Sequence, residues 1–296
     1  MILITGGNGF QGQPLCDRLT ALGEQVVAIS RHPIPTDRYV SIVGDVNNKE
    51  QLAQILQEYS ITAIIHLVSL LNTQSRQNPD KAVRVNVIST LNLLELCKQM
   101  GIRRFVYGSS YNAMGYHDLS EGPIREDQEP TPNDFYGETK RYIEKLGIAY
   151  GDLNDIEFVS ARLPTLLGPG KPVETSAWRM DVYNKLADGG SVDILFGPEE
   201  VVPLADIADC ADAMAFLVRG ERPRHHIYNI PSESMSARQL GELAQKVSGK
   251  LQVNYGDRKV NGIPLVGSSE RLKQEYNYQP KSIEYRLREF KEGKRI

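Results

Sequence analysis

The 296-residue chain is poor in histidine (5), cysteine (3) and tryptophan (1). Cys16, Cys97 and Cys210 are odd in number and far apart, which excludes a disulfide framework and suits a reducing, cytoplasmic setting. His225 and His226 are adjacent instead of spaced to face one ion, so no metal site is expected. An excess of one charge is also missing: 34 Lys and Arg stand against 37 Asp and Glu. That removes the basic footprint needed for nucleic acid or an anionic membrane surface. The longest apolar stretch, ITAIIHLVSLL from Ile61 to Leu71, is too short to span a bilayer and contains His66. Met1-Ile2-Leu3-Ile4 lacks the charged start of a secretory leader.

What is present is an alternation of short apolar runs with helical patterns. MILITG, QVVAIS, YVSIVGDV, AIIHLVS and RFVYGSS read as strands, and IEFVSARLP and HIYNI as two more. Between them, helices are expected over Gln13 to Gly23, Lys49 to Tyr59 and Pro79 to Met100, and later in ADIADCADAMAFLV and Ala237 to Ser248. Strand–helix alternation implies right-handed βαβ units, and continuous apolar strands imply a sheet covered on both faces. The expected fold is α/β, a doubly wound parallel Rossmann sheet with a smaller, mostly C-terminal lobe. Residues 1–164 form the sheet domain, with 201–230 returning to it; 165–200 and 231–296 form the lobe. The tail YRLREFKEGKR alternates charge at helical spacing and reads as a solvated helix face.

ITGGNGFQG, from Ile4 to Gly12, joins the first strand to the first helix and holds four glycines in seven residues. It fits G-x-G-x-x-G from Gly7 and G-x-x-G-x-x-G from Gly6. Strand, glycine loop and helix N-terminus in this order suit the pyrophosphate of a dinucleotide. The second strand ends in Ser30 and Arg31 where an acid would select NAD through the ribose 2′-OH, so a 2′-phosphate and NADP are favoured, with NAD the alternative. Asp45 ends the next strand and suits either an adenine contact or a cap for the helix near Asn48. His66 alone reads as a satisfied strand-end histidine.

Tyr136 and Lys140 in YGETK are four apart and share a helix face. A cation beside a phenol lowers its pKa toward the working range of a general acid/base. Ser109 and Ser110 end the fifth strand, where ligands of doubly wound sheets sit. Together with the glycine loop, these residues carry a resemblance to the extended short-chain dehydrogenase/reductases, the group of NAD(P)-dependent epimerases, dehydratases and reductases. TGGNGFQG resembles its T-G-x-x-G-x-x-G, IIHLVS its H-L-A-A, VNVISTLNLLELCK its N-V-x-G-T-x-N-L-L-E helix, FVYGSSYNAMG its S-S-x-x-V-Y-G, and ARLPTLLGPG its R-x-x-N-V-Y-G-P-G.

The resemblance implies a catalytic set of Ser110, Tyr136 and Lys140. It implies cofactor contacts from Gly6, Gly9, Phe10, Gln11, Gly12, Arg31, Asp45, Val46, Leu67, Asn86 and Pro164, besides Tyr136 and Lys140. Substrate is expected against Ser69, Ser110, Tyr111, Asn112 and Thr165. In this register Gly6, Gly9 and Gly12 matter, and Gly7 is a variable position. A homodimer through the helices near Pro79 to Met100 and Tyr136 to Tyr150 is also implied.

Departures narrow the activity. Tyr111 and Asn112 follow Ser110 where dehydratases carry Asp-Glu. Thr165 replaces the asparagine of R-x-x-N, and Glu199 stands where nucleotide-sugar enzymes carry a diphosphate-binding arginine, an unfavourable charge for that group. The expectation is an NADP-dependent oxidoreductase acting on a secondary alcohol or ketone of a small sugar-like or hydroxy-acid substrate. Epimerisation of a sugar or nucleotide sugar is the alternative. A non-catalytic NADP-binding protein is disfavoured by the presence of all three catalytic residues.

Overall fold

The computed structural model describes residues 1–32, 35–171 and 176–294. Residues 172–175 of the expected lobe, Pro33 after the second strand, and Arg295 and Ile296 of the tail lie outside the described residues.

The chain opens with β1 (Ile2–Thr5), α1 (Gly12–Ala21), β2 (Val26–Ser30), β3 (Val40–Val43), α2 (Lys49–Glu58) and β4 (Ala63–His66). α3 (Asn72–Gln77) and α4 (Pro79–Val83) follow; α4 runs through a single π-turn at Arg84–Ile88 into α5 (Ser89–Met100). Then come β5 (Arg104–Ser110), α6 (Phe135–Asn154) and β6 (Glu157–Leu163). With β10 (Ile227–Asn229) these strands form a seven-stranded sheet of order β10-β6-β5-β4-β1-β2-β3, parallel at each pairing. The order reverses between β1 and β4, which opens a crevice at their carboxyl ends, the ligand position of a doubly wound sheet.

Both faces are buried, as the apolar runs require. Ile4, Leu15, Leu19, Met214 and Leu217 pack on one face; Leu3, Leu52, Leu93, Phe105 and Phe158 pack on the other. The first face is covered by α1 together with α8 (Ile207–Arg219). The long helix expected over Pro79 to Met100 is present, with the π-turn in it, and stops at Gly101 in the left-handed region (φ +69°).

A second core lies outside the seven-stranded sheet, in the part called the lobe, and it takes in Val202 and Leu204 from the segment expected to return to the sheet domain. β7 (Thr165–Leu167), β9 (Val201–Asp206) and β11 (Glu233–Ser236) form a three-stranded sheet of order β11-β9-β7. β8 (Gly190–Phe196) pairs in parallel with β12 (Leu251–Arg258). α7 (Trp178–Asn184), α9 (Ala237–Ser248) and α11 (Ile283–Lys291) pack on these strands through Trp178, Val182, Leu240, Ile283 and Leu287. α10 (Glu270–Tyr276) returns to the edge strand β10.

Two expectations need correcting here. The tail is more than a solvated face: Ile283 and Leu287 of α11 are buried in the lobe core. Arg286 on the same helix donates to both carboxylate oxygens of Asp209 on α8, at 2.9 and 2.8 Å. Only the far side follows the charge pattern, with Arg288 donating to Glu284. Asp45 does not cap α2 either. The cap is Asn48, whose side chain accepts from the Gln51 amide, while Asp45 accepts from the Asn47 amide at 2.9 Å in a local turn.

Leu287→Ala should therefore cost about 2–5 kcal/mol, the range for emptying a packed leucine site. Arg288→Ala should stay within about 0.5 kcal/mol. Urea unfolding of both variants checks this, and equal effects would mean that α11 is a surface appendage.

Candidate active site

The glycine loop lies at the mouth of the crevice. Gly6 takes φ +74°, a conformation open to glycine without strain. A Cβ on Gly12 would lie 2.1 Å from the Gly6 carbonyl oxygen, and one on Gly9 would lie 3.0 Å from it. The turn therefore closes on itself only with glycine at these positions. Gly7 is not a variable position: its Cβ would lie 2.5 Å from Cβ of Ala28 on β2. Loop-to-strand packing restricts it, a constraint invisible in motif spacing. α1 begins at Gly12, one residue before the Gln13 start expected, and no side chain caps it. Its first amides therefore have no side-chain partner at the cap, and such free helix amides are what binds phosphate.

Thr5 and His66 end β1 and β4 side by side. Thr5 Oγ1 lies 2.7 Å from His66 Nδ1 and also accepts from the Leu67 amide at 3.2 Å. His66 Nε2 lies 3.1 Å from Thr90 Oγ1, whose own proton goes to the Asn86 carbonyl at 2.9 Å. The proton flow fixes one tautomer: Nε2 donates to Thr90 and Nδ1 accepts from Thr5. Burial, with Lys140 nearby, pulls His66 down to about 3, so the ring is neutral. Asn86, in the π-turn, accepts from the Leu70 amide at 2.8 Å and donates to Thr139 Oγ1 at 3.2 Å. It ties the loop after β4 to α6.

Tyr136 and Lys140 lie in α6, capped by Asp134, which accepts from the Gly137 amide at 2.7 Å. The other Asp134 oxygen accepts from Asn112 and Asn72 amide groups, each at 3.0 Å. Ser110 donates to Asn112 Oδ1 at 3.0 Å. The helix start and the end of β5 are thus held by one carboxylate. Lys140 Nζ donates to the Gly108 carbonyl at 2.7 Å and lies 5.5 Å from the centroid of the Tyr136 ring.

Burial pushes the Tyr136 phenol up to about 12; hydrogen bonds with Ser110 and Ser69 oppose that, Asp134 adds to it, and Arg179 opposes it. Burial also draws Lys140 down to about 7, with Glu144 opposing. Sequence reading brought Ser110, Tyr136 and Lys140 forward but missed Asp134, Glu144 and Arg179. Tyr136, Lys140 and Glu144 recur every four residues, a signal that was available in the sequence.

Other expected residues are dispersed. Arg31 and Asp45 are exposed at the ends of β2 and β3, Val46 and Pro164 are buried, and Leu67 follows β4. Phe10 and Gln11 are half-buried in the loop, and Thr165 opens β7. Tyr111 is 1% exposed and donates to the Ile230 carbonyl at 2.9 Å, so its hydroxyl is spent within the protein. Glu199 is paired with Arg238 at 2.8 Å. Among the described residues no helix is long and apolar enough to cross a membrane.

A family model, the NAD dependent epimerase/dehydratase family, matches residues 2–231. UDP-glucose 4-epimerase of Corynebacterium glutamicum is 26% identical over 309 aligned positions, covering 96% of this chain and 92% of that protein. Bovine mitochondrial L-threonine 3-dehydrogenase is 26% identical, over 86% of this chain and 70% of that one. The solved structure of MoeE5 in complex with UDP-glucose and NAD superposes with a TM-score of 0.83 at 26% identity, covering 99% of each chain.

Gly7→Ala should destabilise by about 1–3 kcal/mol through overpacking against β2. Asn8→Ala, one residue on, should cost less. Thermal or urea unfolding of the two variants decides whether packing restricts Gly7.

Proposed function

The chain belongs to the NAD dependent epimerase/dehydratase family, and from that premise we propose that it moves hydride between NADP and a secondary alcohol or ketone of a small sugar-like or hydroxy-acid substrate. It is an enzyme of a family whose members here include dehydrogenases and epimerases. The observation that carries the reading is the meeting of three hydroxyls and one ammonium: Tyr136 with Ser110 and Ser69, and Lys140 beside its ring.

The residues present fit a dinucleotide. The glycines leave room for backbone to approach a pyrophosphate, and the uncapped start of α1 offers its amides. Gly6, Gly9, Phe10, Gln11 and Gly12 would hold the pyrophosphate, Asp45 and Val46 the adenine, and Lys140 the nicotinamide ribose. Arg31 is exposed at the end of β2, available to a 2′-phosphate. The bound nicotinamide supplies the hydride acceptor or donor.

The protein's part is proton control. Tyr136 Oη takes the carbinol proton during oxidation and returns it during reduction. Ser110, turning its hydroxyl from Asn112 Oδ1, donates to the same substrate oxygen and fixes its direction. A phenol near 12 rests protonated, ready as the acid; its service as a base depends on the cations around it. Both hydroxyls act where negative charge develops on the substrate oxygen, which is the transition-state-selective position.

Two further properties follow. Exposed Val83, Ile88 and Tyr142, on or beside the long helices, support a homodimer through them. The buried, unpaired cysteines fit a cytoplasmic protein. Epimerisation remains a second reading because the C. glutamicum epimerase matches nearly the whole chain. Against a nucleotide sugar stands Glu199, already engaged by Arg238 where a diphosphate-binding cation would be needed.

Tyr136→Phe should lower turnover by about 100-fold or more, the usual worth of general acid/base catalysis. Its NADPH affinity, read by fluorescence titration, should stay within about twofold, since the phenol acts on the substrate. Undiminished turnover on a panel of hydroxy acids, sugars and UDP-sugars would sink the assignment, and product formed without net NADPH change would select epimerisation. Arg31→Asp should shift the kcat/KM ratio of NADP over NAD by about tenfold or more toward NAD, as loss of a charge-assisted contact requires. An unchanged ratio would remove Arg31 from cofactor selection.

A further inference from the structure

Arg179 has no part in the chemistry just described, yet it reaches that site. It lies on α7 of the lobe, next to the chain's single tryptophan, Trp178. Its guanidinium carbon lies 5.6 Å from the centroid of the Phe10 ring in the glycine loop. Nη2 donates to Ser176 Oγ at 2.9 Å. Nε is shut off from solvent and has no hydrogen-bond partner among the described residues. The guanidinium and the Tyr136 phenol act on one another: Arg179 pulls the phenol's pKa down, and burial lowers that of Arg179 itself against the influence of Tyr136.

A guanidinium Nε shut off from water with its proton unspent is costly unless an acceptor completes it. Its planar fork matches a carboxylate through two parallel N–H···O bonds. The group comes from α7, lies over Phe10 of the glycine loop, and is electrostatically coupled to the proton-transfer residue. We propose that Arg179 is the recognition residue for a carboxylate on the substrate, held next to the carbinol that Tyr136 serves. The substrate class is then hydroxy acids rather than neutral sugars. This deepens the reading of Tyr136 and rests on it for the position of the carbinol. The other source of the same oxyanion chemistry is a cofactor phosphate, since Phe10 belongs to the loop.

The test uses the full-length protein saturated with NADPH. Glycerate, 3-hydroxybutyrate and gluconate are titrated beside their primary amides, read by calorimetry and by Trp178 fluorescence. The acids should bind at least tenfold more tightly than the amides. Arg179→Gln should erase that preference, Arg179→Lys should keep part of it, and NADPH affinity should stay within twofold in both. Circular dichroism checks that the variants fold, and the lysine variant keeps the test decisive if glutamine disrupts α7. Equal binding of acids and amides, or no binding of either to the wild type, would overturn the proposal. So would a tenfold loss of NADPH affinity in Arg179→Gln, which assigns the guanidinium to a cofactor phosphate. Tyr136→Phe separates the two readings: the acid preference survives in it if Arg179 acts as proposed, even if Tyr136 proves dispensable for turnover.

Discussion

The carboxylate of Glu144 is the point on which the site's geometry turns. It lies in α6, fully buried, and four side-chain bonds converge on it from two strands. Ser109 of β5 donates at 2.6 Å and Ser160 of β6 at 3.0 Å. Arg162 of β6 donates through Nη2 at 2.7 Å and through Nε at 3.0 Å. Both members of the ion pair are 1% exposed. Breaking such a pair from one side typically costs about 3–5 kcal/mol, because the remaining charge is left buried. What the cluster secures is register. Ser109 precedes Ser110 on β5, and Lys140 lies one turn before Glu144 on α6. A shift of α6 along the sheet would break four bonds before it moved Tyr136 away from Ser110.

An ion pair and a few hydrogen bonds link the C-terminal helices to α8 and the sheet edge. Arg286 of α11 grips Asp209 of α8, and the same carboxylate accepts from the Lys281 amide at 3.0 Å. Arg271 of α10 donates to the Ile227 carbonyl at the sheet edge at 2.9 Å. Tyr111, directly after Ser110, reaches across to the Ile230 carbonyl. A Cβ on Gly267 would lie 2.2 Å from the Tyr111 hydroxyl, so the lobe's chain passes directly over it.

The inner sheet strands were legible because they are buried on both faces and so read as apolar runs, whereas the edge strand β3 has no buried residue. The strands of the lobe were not. β8 and β12 pair across some sixty residues, and β12, LQVNYGDR, is exposed at alternate positions and ends in charge. Their pairing is a long-range fact that no local window contains. The glycine loop was legible as a phosphate cradle, but spacing cannot distinguish a glycine required by its own turn from one required by a neighbour. Gly7 belongs to the second kind, through Ala28. The charge alternation of α11 was real and described only half of the helix; Leu287 lay within that stretch and Ile283 two residues before it, too sparse to outweigh it. Tyr136 and Lys140 were legible through their order along the chain with Ser110. Arg179 was not, because nothing in its sequence surroundings says that α7 folds back onto the glycine loop.

The charge balance of the cleft then follows from these placements. Lys140 and Arg179 are both held below their ordinary pKa values by burial. Neither touches a carboxylate among the described residues: Lys140 bonds to a backbone carbonyl and Arg179 to a serine. The nearby acids, Glu144 and Asp134, are spent on Arg162 and on the cap of α6. A cleft built this way stores unsatisfied positive potential beside a protonated phenol. An anion entering it repays part of the desolvation of both cations and favours the charged form of Lys140. The anion's own charge works against a phenolate beside it, so filling the cleft with an acid favours the protonated form of Tyr136, which is already its resting form.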